Sequence, residues 1–68
     1  MLDDLQPGDF IAYYWRPYPR LHSGTFLRLH PTQNGELCLV VRSHRRRLPI
    51  TISARQLARI LHRRYISV

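Results

Sequence analysis

Residues 24–42 read GTFLRLHPTQNGELCLVVR, and this stretch decides the fold. Gly24 opens a run, Thr25 to His30, rich in branched and aromatic side chains with Arg28 between two leucines. Such residues favour a pleated, half-buried surface. Pro31 closes the run, and Thr32-Gln33-Asn34-Gly35 then supplies Asn-Gly, the strongest short-range hairpin signal. A further strand is predicted from Glu36 to Arg42, pairing antiparallel with the one before the turn.

Working outward, Leu5-Gln6-Pro7-Gly8-Asp9 reads as a turn. Pro7 presets φ, Gly8 tolerates positive φ, and Asp9 can bond the local backbone. A first strand follows at residues 10–15, Phe-Ile-Ala-Tyr-Tyr-Trp. Arg16-Pro17-Tyr18-Pro19-Arg20 ends it, because two prolines remove donors, and predicts a loop reaching to Ser23. On the other side, Ser43-His44-Arg45-Arg46-Arg47 is a basic connection to a short fourth strand, Leu48 to Ile52, with Pro49 marking an edge. Ser53-Ala54-Arg55-Gln56 fits a capping box. Ala54, Leu57, Ala58, Leu61 and Tyr65 recur at helical spacing and predict two to three turns of helix, with Arg55, Arg59, His62 and Arg63 facing out. The competing reading is one helical turn near 53–57 and a terminal strand from about Ala58 to Val68, which the branched tail favours. The fold class is mainly β: four to five short antiparallel strands with a short C-terminal helix.

At 68 residues the chain reads as a single small basic domain, 1–68, with a core only just adequate. Self-association into a homo-oligomer is the extra support such a domain can draw on, since a lone Cys38 permits neither an internal disulfide nor a zinc framework. Cys38 itself reads as a buried, inert thiol in an apolar run. The N-terminus has no signal-peptide pattern and no stretch is long and apolar enough to span a bilayer, so a soluble, cytoplasmic protein without a membrane partner is expected.

Charge is the loudest feature. There are eleven arginines, no lysine and four acids; residues 1–15 carry three of the acids and no arginine, and residues 16–68 carry every arginine and one acid. A body that basic recruits phosphates and anionic surfaces. Arginine also offers a planar fork matched to phosphate and stacks on aromatic rings. Codon usage in a GC-rich genome would explain missing lysine, but not the scarcity of acids.

Four short strands opened by Pro7-Gly8-Asp9, with Gly24 at the start of the second and a hairpin between second and third, resemble the SH3-like small barrel of KOW and Tudor-type modules. The resemblance covers roughly Leu5 to Ile60. It implies a binding module or an assembly subunit. The chain is also similar to the plasmid-borne type II dihydrofolate reductases, whose closing Leu-x-Arg-Ile is echoed by Leu57-Ala58-Arg59-Ile60. Where that family carries Val-Gln-Ile-Tyr in its fourth strand, this chain has Ile50-Thr51-Ile52-Ser53, without the glutamine or tyrosine its activity needs.

No pair of carboxylates has an evident reason to share a cleft, and the histidines at 22, 30, 44 and 62 show no metal spacing. Neither catalysis, a metal nor a cofactor is expected. Tyr13, Tyr14, Trp15, Arg16, Tyr18 and Arg20 interleave rings with guanidiniums, as single-stranded nucleic acid requires. Because strand residues alternate faces, placing Ile11 and Tyr13 in the core leaves Tyr14 and Tyr18 to touch a ligand. The bland alternative is that the rings only thicken the core and the arginines form a solvated face. The expected function is non-catalytic binding of DNA or RNA with weak sequence specificity. Arg42, Arg45, Arg46, Arg47, Arg55, Arg59 and Arg63 would grip phosphates, and Tyr14, Trp15 and Tyr18 are the stacking candidates. The alternative is an adaptor or assembly subunit docking its basic face on an acidic protein partner.

Overall fold

The structure is a computed structural model and describes residues 2–15 and 18–62, with backbone only at 18 and 19. Five strands, β1 Phe10–Trp15, β2 Tyr18–Pro31, β3 Leu37–Ser43, β4 Pro49–Ser53 and β5 Leu57–His62, form one antiparallel sheet in the order β4-β3-β2-β1-β5. Short 3₁₀ turns occupy Leu2–Asp4 and Ala54–Gln56.

The central hairpin forms as the sequence requires, with Thr25 opposite Arg42 and Pro31 opposite Leu37. Its turn is closed by the Gly35 N–H donating to the Thr32 carbonyl at 3.1 Å and the Thr32 N–H donating to Glu36 at 2.8 Å. Gly35 alone is left-handed, at φ 80°, so Asn-Gly ends a tight turn with an added left-handed residue instead of forming a two-residue loop. β4 lies at an edge, where Pro49 leaves no ladder donor missing.

Two expectations are corrected. The predicted loop from Arg16 to Ser23 is strand from Tyr18 onward, where β2 begins and Leu21 and His22 pair with Tyr14 and Tyr13; Arg16 and Pro17 lie outside the described residues. Ladder pairing with β3 begins only at Gly24, just past the bond from the His44 N–H to the Ser23 carbonyl, so the start of β2 is paired with β1 alone and tolerates Pro19. Among the described residues, the predicted helix of two to three turns is also absent. The capping box does form, with the Ser53 side chain accepting from the Arg55 N–H at 3.2 Å and the Gln56 Oε1 accepting from the Ser53 N–H at 2.7 Å. It caps a single 3₁₀ turn, after which Leu57–His62 pairs with β1. Over Leu57–His62 the competing strand reading is the one observed, and its continuation to Val68 lies outside the described residues. The β1 edge gains backbone partners from Phe10 to Tyr13 through an irregular, bulged ladder, while Leu57 and Ile60 still reach the core.

The connection between β4 and β5 forces the sheet to curl. These strands are opposite edges, which in a flat five-stranded sheet lie about 19 Å apart. From Ser53 to Leu57 the chain could span at most about 14 Å even fully extended, and here it is a 3₁₀ turn that contacts both β1 and β3. The edges therefore come together in a small barrel-like form around Ile11, Tyr13, Phe26, Leu39, Val41 and Ile52.

Registers define what faces inward. Ile11, Gly24 and Ser43 stand abreast, and Phe26, Val41 and Ile50 make the next rung in one direction. In the other direction come Tyr13 beside His22, and then Trp15. The inward rows thus run out of aliphatic residues toward the beginning of β2. Gly24 is required there: a Cβ would sit 2.4 Å from Val41 Cγ1 and 2.8 Å from the Arg42 carbonyl oxygen.

Candidate functional site

Where the inward rows lose their aliphatic residues, the barrel opens into a recess of about 360 Å³ lined by Trp15, Arg20, His22, Ser43, Arg45 and Arg46. Strand alternation explains the lining. Arg20 and His22 continue the row of Gly24 and Phe26 on β2, and Ser43 continues that of Leu39 and Val41 on β3. Trp15 follows Ile11 and Tyr13, stays half-buried and packs on the core, which fixes its ring. His22 stands edge-on to the indole, with ring centroids 5.9 Å apart, and stacks on Tyr13 at 5.9 Å.

The arginine triplet reaches this mouth through a tight turn. Buried Ser43 organises it: its Oγ accepts from the Arg46 N–H at 3.2 Å, its carbonyl accepts from the Arg47 N–H at 2.7 Å, and its own N–H donates to Leu48 at 3.0 Å. Arg46 is thereby carried back over Trp15, with its guanidinium carbon 4.7 Å from the ring centroid, within cation–π range. Arg47 ends the turn at φ 59°, the left-handed region.

Beyond the indole lies a second recess, about 560 Å³, lined by Tyr14, Trp15, Thr51, Ser53, Arg55 and Gln56. The Gln56 Nε2 donates to the Tyr14 carbonyl at 2.7 Å, tying the 3₁₀ turn to β1 and holding the walls of this recess at a fixed separation. None of the described carboxylates lines either recess. Buried Asp9 is engaged in the turn before β1, where its Oδ2 accepts from the Gln6 N–H at 2.9 Å.

The expected site residues therefore divide. Arg45, Arg46 and Trp15 meet at the mouth, and Tyr14, Trp15 and Arg55 meet at the second recess. Arg42 and Arg47 turn to the outer surface beside Phe10 and His44. Arg59 lies on β5 opposite Ala12, so Arg55 and Arg59 do not share the outward face of a helix. Arg63 and the Tyr18 side chain lie outside the described residues. Ile11 and Tyr13 are fully buried and Tyr14 is half exposed, as the alternation argument required. Cys38 is half-buried beside β2, less enclosed than its apolar neighbours suggested.

Sequence reasoning named Arg20 only within the segment of interleaved rings and guanidiniums, not among the phosphate-gripping residues, and missed His22 and Ser43. The signal was present in the alternation Arg20, His22, Gly24, Phe26, but it becomes visible only if β2 is extended back through Pro19.

Among the described residues, no cluster of three or more His, Cys, Asp or Glu side chains could hold a metal ion, and no helix is long and apolar enough to cross a membrane. Compared with known proteins, the chain matches no family model, no curated protein and no solved structure.

Proposed function

We propose that this protein is a non-catalytic nucleic-acid-binding module of the SH3-like barrel type, gripping backbone phosphates at the mouth of the barrel. The strand order, with a 3₁₀ turn joining the two edge strands, supports the SH3-like reading. The observation that carries the functional reading is the convergence of Arg20, Arg45 and Arg46, from one strand and one turn, around a recessed tryptophan. Three guanidiniums brought together repel one another, and phosphate oxygens relieve that repulsion with paired, charge-assisted hydrogen bonds.

Magnitudes favour a nucleotide over a bare anion at this position. The contact of Arg46 on Trp15 is worth about 0.5–1 kcal/mol in a solvent-exposed setting. A base stacked on the same ring contributes about 1–3 kcal/mol. A base can therefore displace the guanidinium, and Arg46 is then available to a flanking phosphate. Sequence specificity is weak in this arrangement, because every base has a face to stack.

The test is fluorescence anisotropy with labelled oligonucleotides at two salt concentrations, comparing the native chain with Arg45→Ser/Arg46→Ser. The expected outcome is a steep fall in affinity with salt and a large loss in the double variant. An acidic protein is the other partner that the charge suits. If polyglutamate displaced the oligonucleotide at equal charge concentration, the adaptor reading would replace this one.

A further inference from the structure

Trp15 belongs to both recesses. One side of the ring faces the mouth with Arg45 and Arg46, and the second recess, with Tyr14 and Arg55, begins at the same side chain. Each recess thus pairs an aromatic surface with at least one guanidinium, and the two share a wall held rigid by the core below it. Building on the nucleic-acid reading above, we infer that the two recesses take neighbouring unpaired bases of one strand, with Trp15 as the partition between them, and that duplex is not their ligand.

The shape of the surface carries the distinction. A duplex turns its bases inward and offers them only along grooves, the wider one about 12 Å across, so reading them takes an element that projects. Here the ring is recessed: Trp15 is half-buried, in line with Ile11 and Tyr13. A convex double helix laid on this surface touches the rim arginines with its phosphates and leaves the indole uncovered. An unpaired strand can turn its bases into concave sites and stack them on side chains.

The second recess is prepared for such a base. The Gln56 amide spans from the Ser53 N–H to the Tyr14 carbonyl, so strand β1 and the 3₁₀ turn cannot close on each other. The half-exposed Tyr14 ring offers a second stacking surface, Arg55 a phosphate contact, and the Thr51 hydroxyl an edge partner. A site held open before binding spends less on ordering when the ligand arrives.

Trp15 is the chain's one tryptophan, so intrinsic fluorescence reports on this partition directly. The full chain is titrated with four probes of equal length, about ten nucleotides, within the footprint range of small single-strand modules. These are oligothymidylate, oligouridylate, the thymidylate–adenylate duplex, and an abasic strand with the same phosphates. The two unpaired strands should quench the emission and bind about tenfold or more tighter than the duplex and the abasic strand. Read by the anisotropy of end-labelled probes, since these variants lack the chain's tryptophan, Trp15→Leu should remove that advantage and Trp15→Phe should restore most of it. Tyr14→Ala, on the exposed face of β1, provides a variant whose folding is not at stake, with a loss of roughly fivefold or more expected for unpaired strands only.

Equal binding of all four probes without a change in emission would overturn the single-strand inference and leave phosphate binding intact. Failure of every probe to bind would remove both.

Discussion

The arginine-rich turn between β3 and β4 serves two surfaces that resemble each other in composition and differ in construction. At the mouth, Arg45 and Arg46 meet Trp15 and His22 over a recess. On the outer surface, Arg42 and Arg47 meet Phe10 and His44. Each side has two arginines of the triplet region, a large ring and a histidine. On the outer side His44 and Arg42 are tied to β2 and to the turn. His44 packs edge-on to Phe10 at 4.6 Å, its Nε2 shares a proton with the Thr25 Oγ1 at 2.7 Å and its Nδ1 with the Ser23 Oγ at 3.2 Å, and Arg42 reaches the Arg47 carbonyl at 3.4 Å. That cluster is a clasp joining the turn to β2. The outer groups line a hollow too, of about 470 Å³ against about 360 Å³ at the mouth, but the mouth is the more enclosed of the two and its ring is set by the core. Charge alone therefore does not define a site; the difference lies in how the strand rows beneath enclose and fix the groups that line it.

The strongest way to break the comparison is to disturb the packed rung beneath the mouth. A Cβ at Gly24 meets Val41 and the Arg42 backbone at contacts far below van der Waals distance, and the carbonyl cannot rotate away. Gly24→Ala is expected to lower stability by about 2–3 kcal/mol, measured by urea unfolding. A near-neutral result would mean that the floor of the mouth is soft and the recess is not a fixed feature.

Charge removal compares the two surfaces next. Arg45→Ser/Arg46→Ser should weaken oligonucleotide binding by roughly tenfold to a hundredfold and reduce the salt slope by about 1.4 on single strands, two contacts at about 0.7 each. The matched pair Arg42→Ser/Arg47→Ser removes the same formal charge from the outer surface. It should cost less than about threefold in affinity, the share that a general positive potential contributes. Equal losses in the two pairs would show that net charge, not the mouth, attracts the ligand.

The clasp makes a prediction of opposite character. His44→Ala removes two side-chain hydrogen bonds and the contact with Phe10, all on the exposed side. A loss of about 1 kcal/mol in stability is expected, with oligonucleotide affinity unchanged. A binding defect without a folding defect would move the ligand to the outer face.

Much of the fold was legible because hairpin chemistry is local. Asn34-Gly35, the edge Pro49 and the alternation of Ile11 and Tyr13 each act within a few residues, and each held. Two errors arose where tertiary pairing outweighed local preference. Pro17 and Pro19 read as the end of order, yet β1 needed a partner and β2 supplied it from Tyr18 onward. Leu57 to His62 read as helix by spacing, yet the other edge of β1 recruited those residues as strand. The site inherited the first error. With β2 begun too late, Arg20 and His22 had no assigned face, and the mouth was seen only as a loop tip of three arginines. Its asymmetry, Arg45 and Arg46 to one side and Arg47 to the other, depends on Ser43 being buried at the root of the turn, which no run of sequence states.

That root also sets the smallest expected effect. Arg47 occupies the left-handed region at φ 59°, where a side chain crowds the backbone and glycine does not. Its N–H closes the turn on the Ser43 carbonyl, a bond that glycine can make equally well. Arg47→Gly therefore relieves backbone strain without loosening the turn. Glycine's larger freedom in the unfolded chain offsets part of that gain, and the net expectation is a rise in stability of about 0.5 kcal/mol by thermal or urea unfolding. Affinity for single strands should change by less than about twofold, because the side chain removed belongs to the clasp. If the variant were less stable than the native chain, the Arg47 side chain would be holding the turn through contacts of its own, separate from the bond that the backbone carbonyl of Arg47 accepts from Arg42. If it lost affinity as Arg46→Ser does, the division of the triplet between two surfaces would be wrong, and all three arginines would have to be assigned to one ligand.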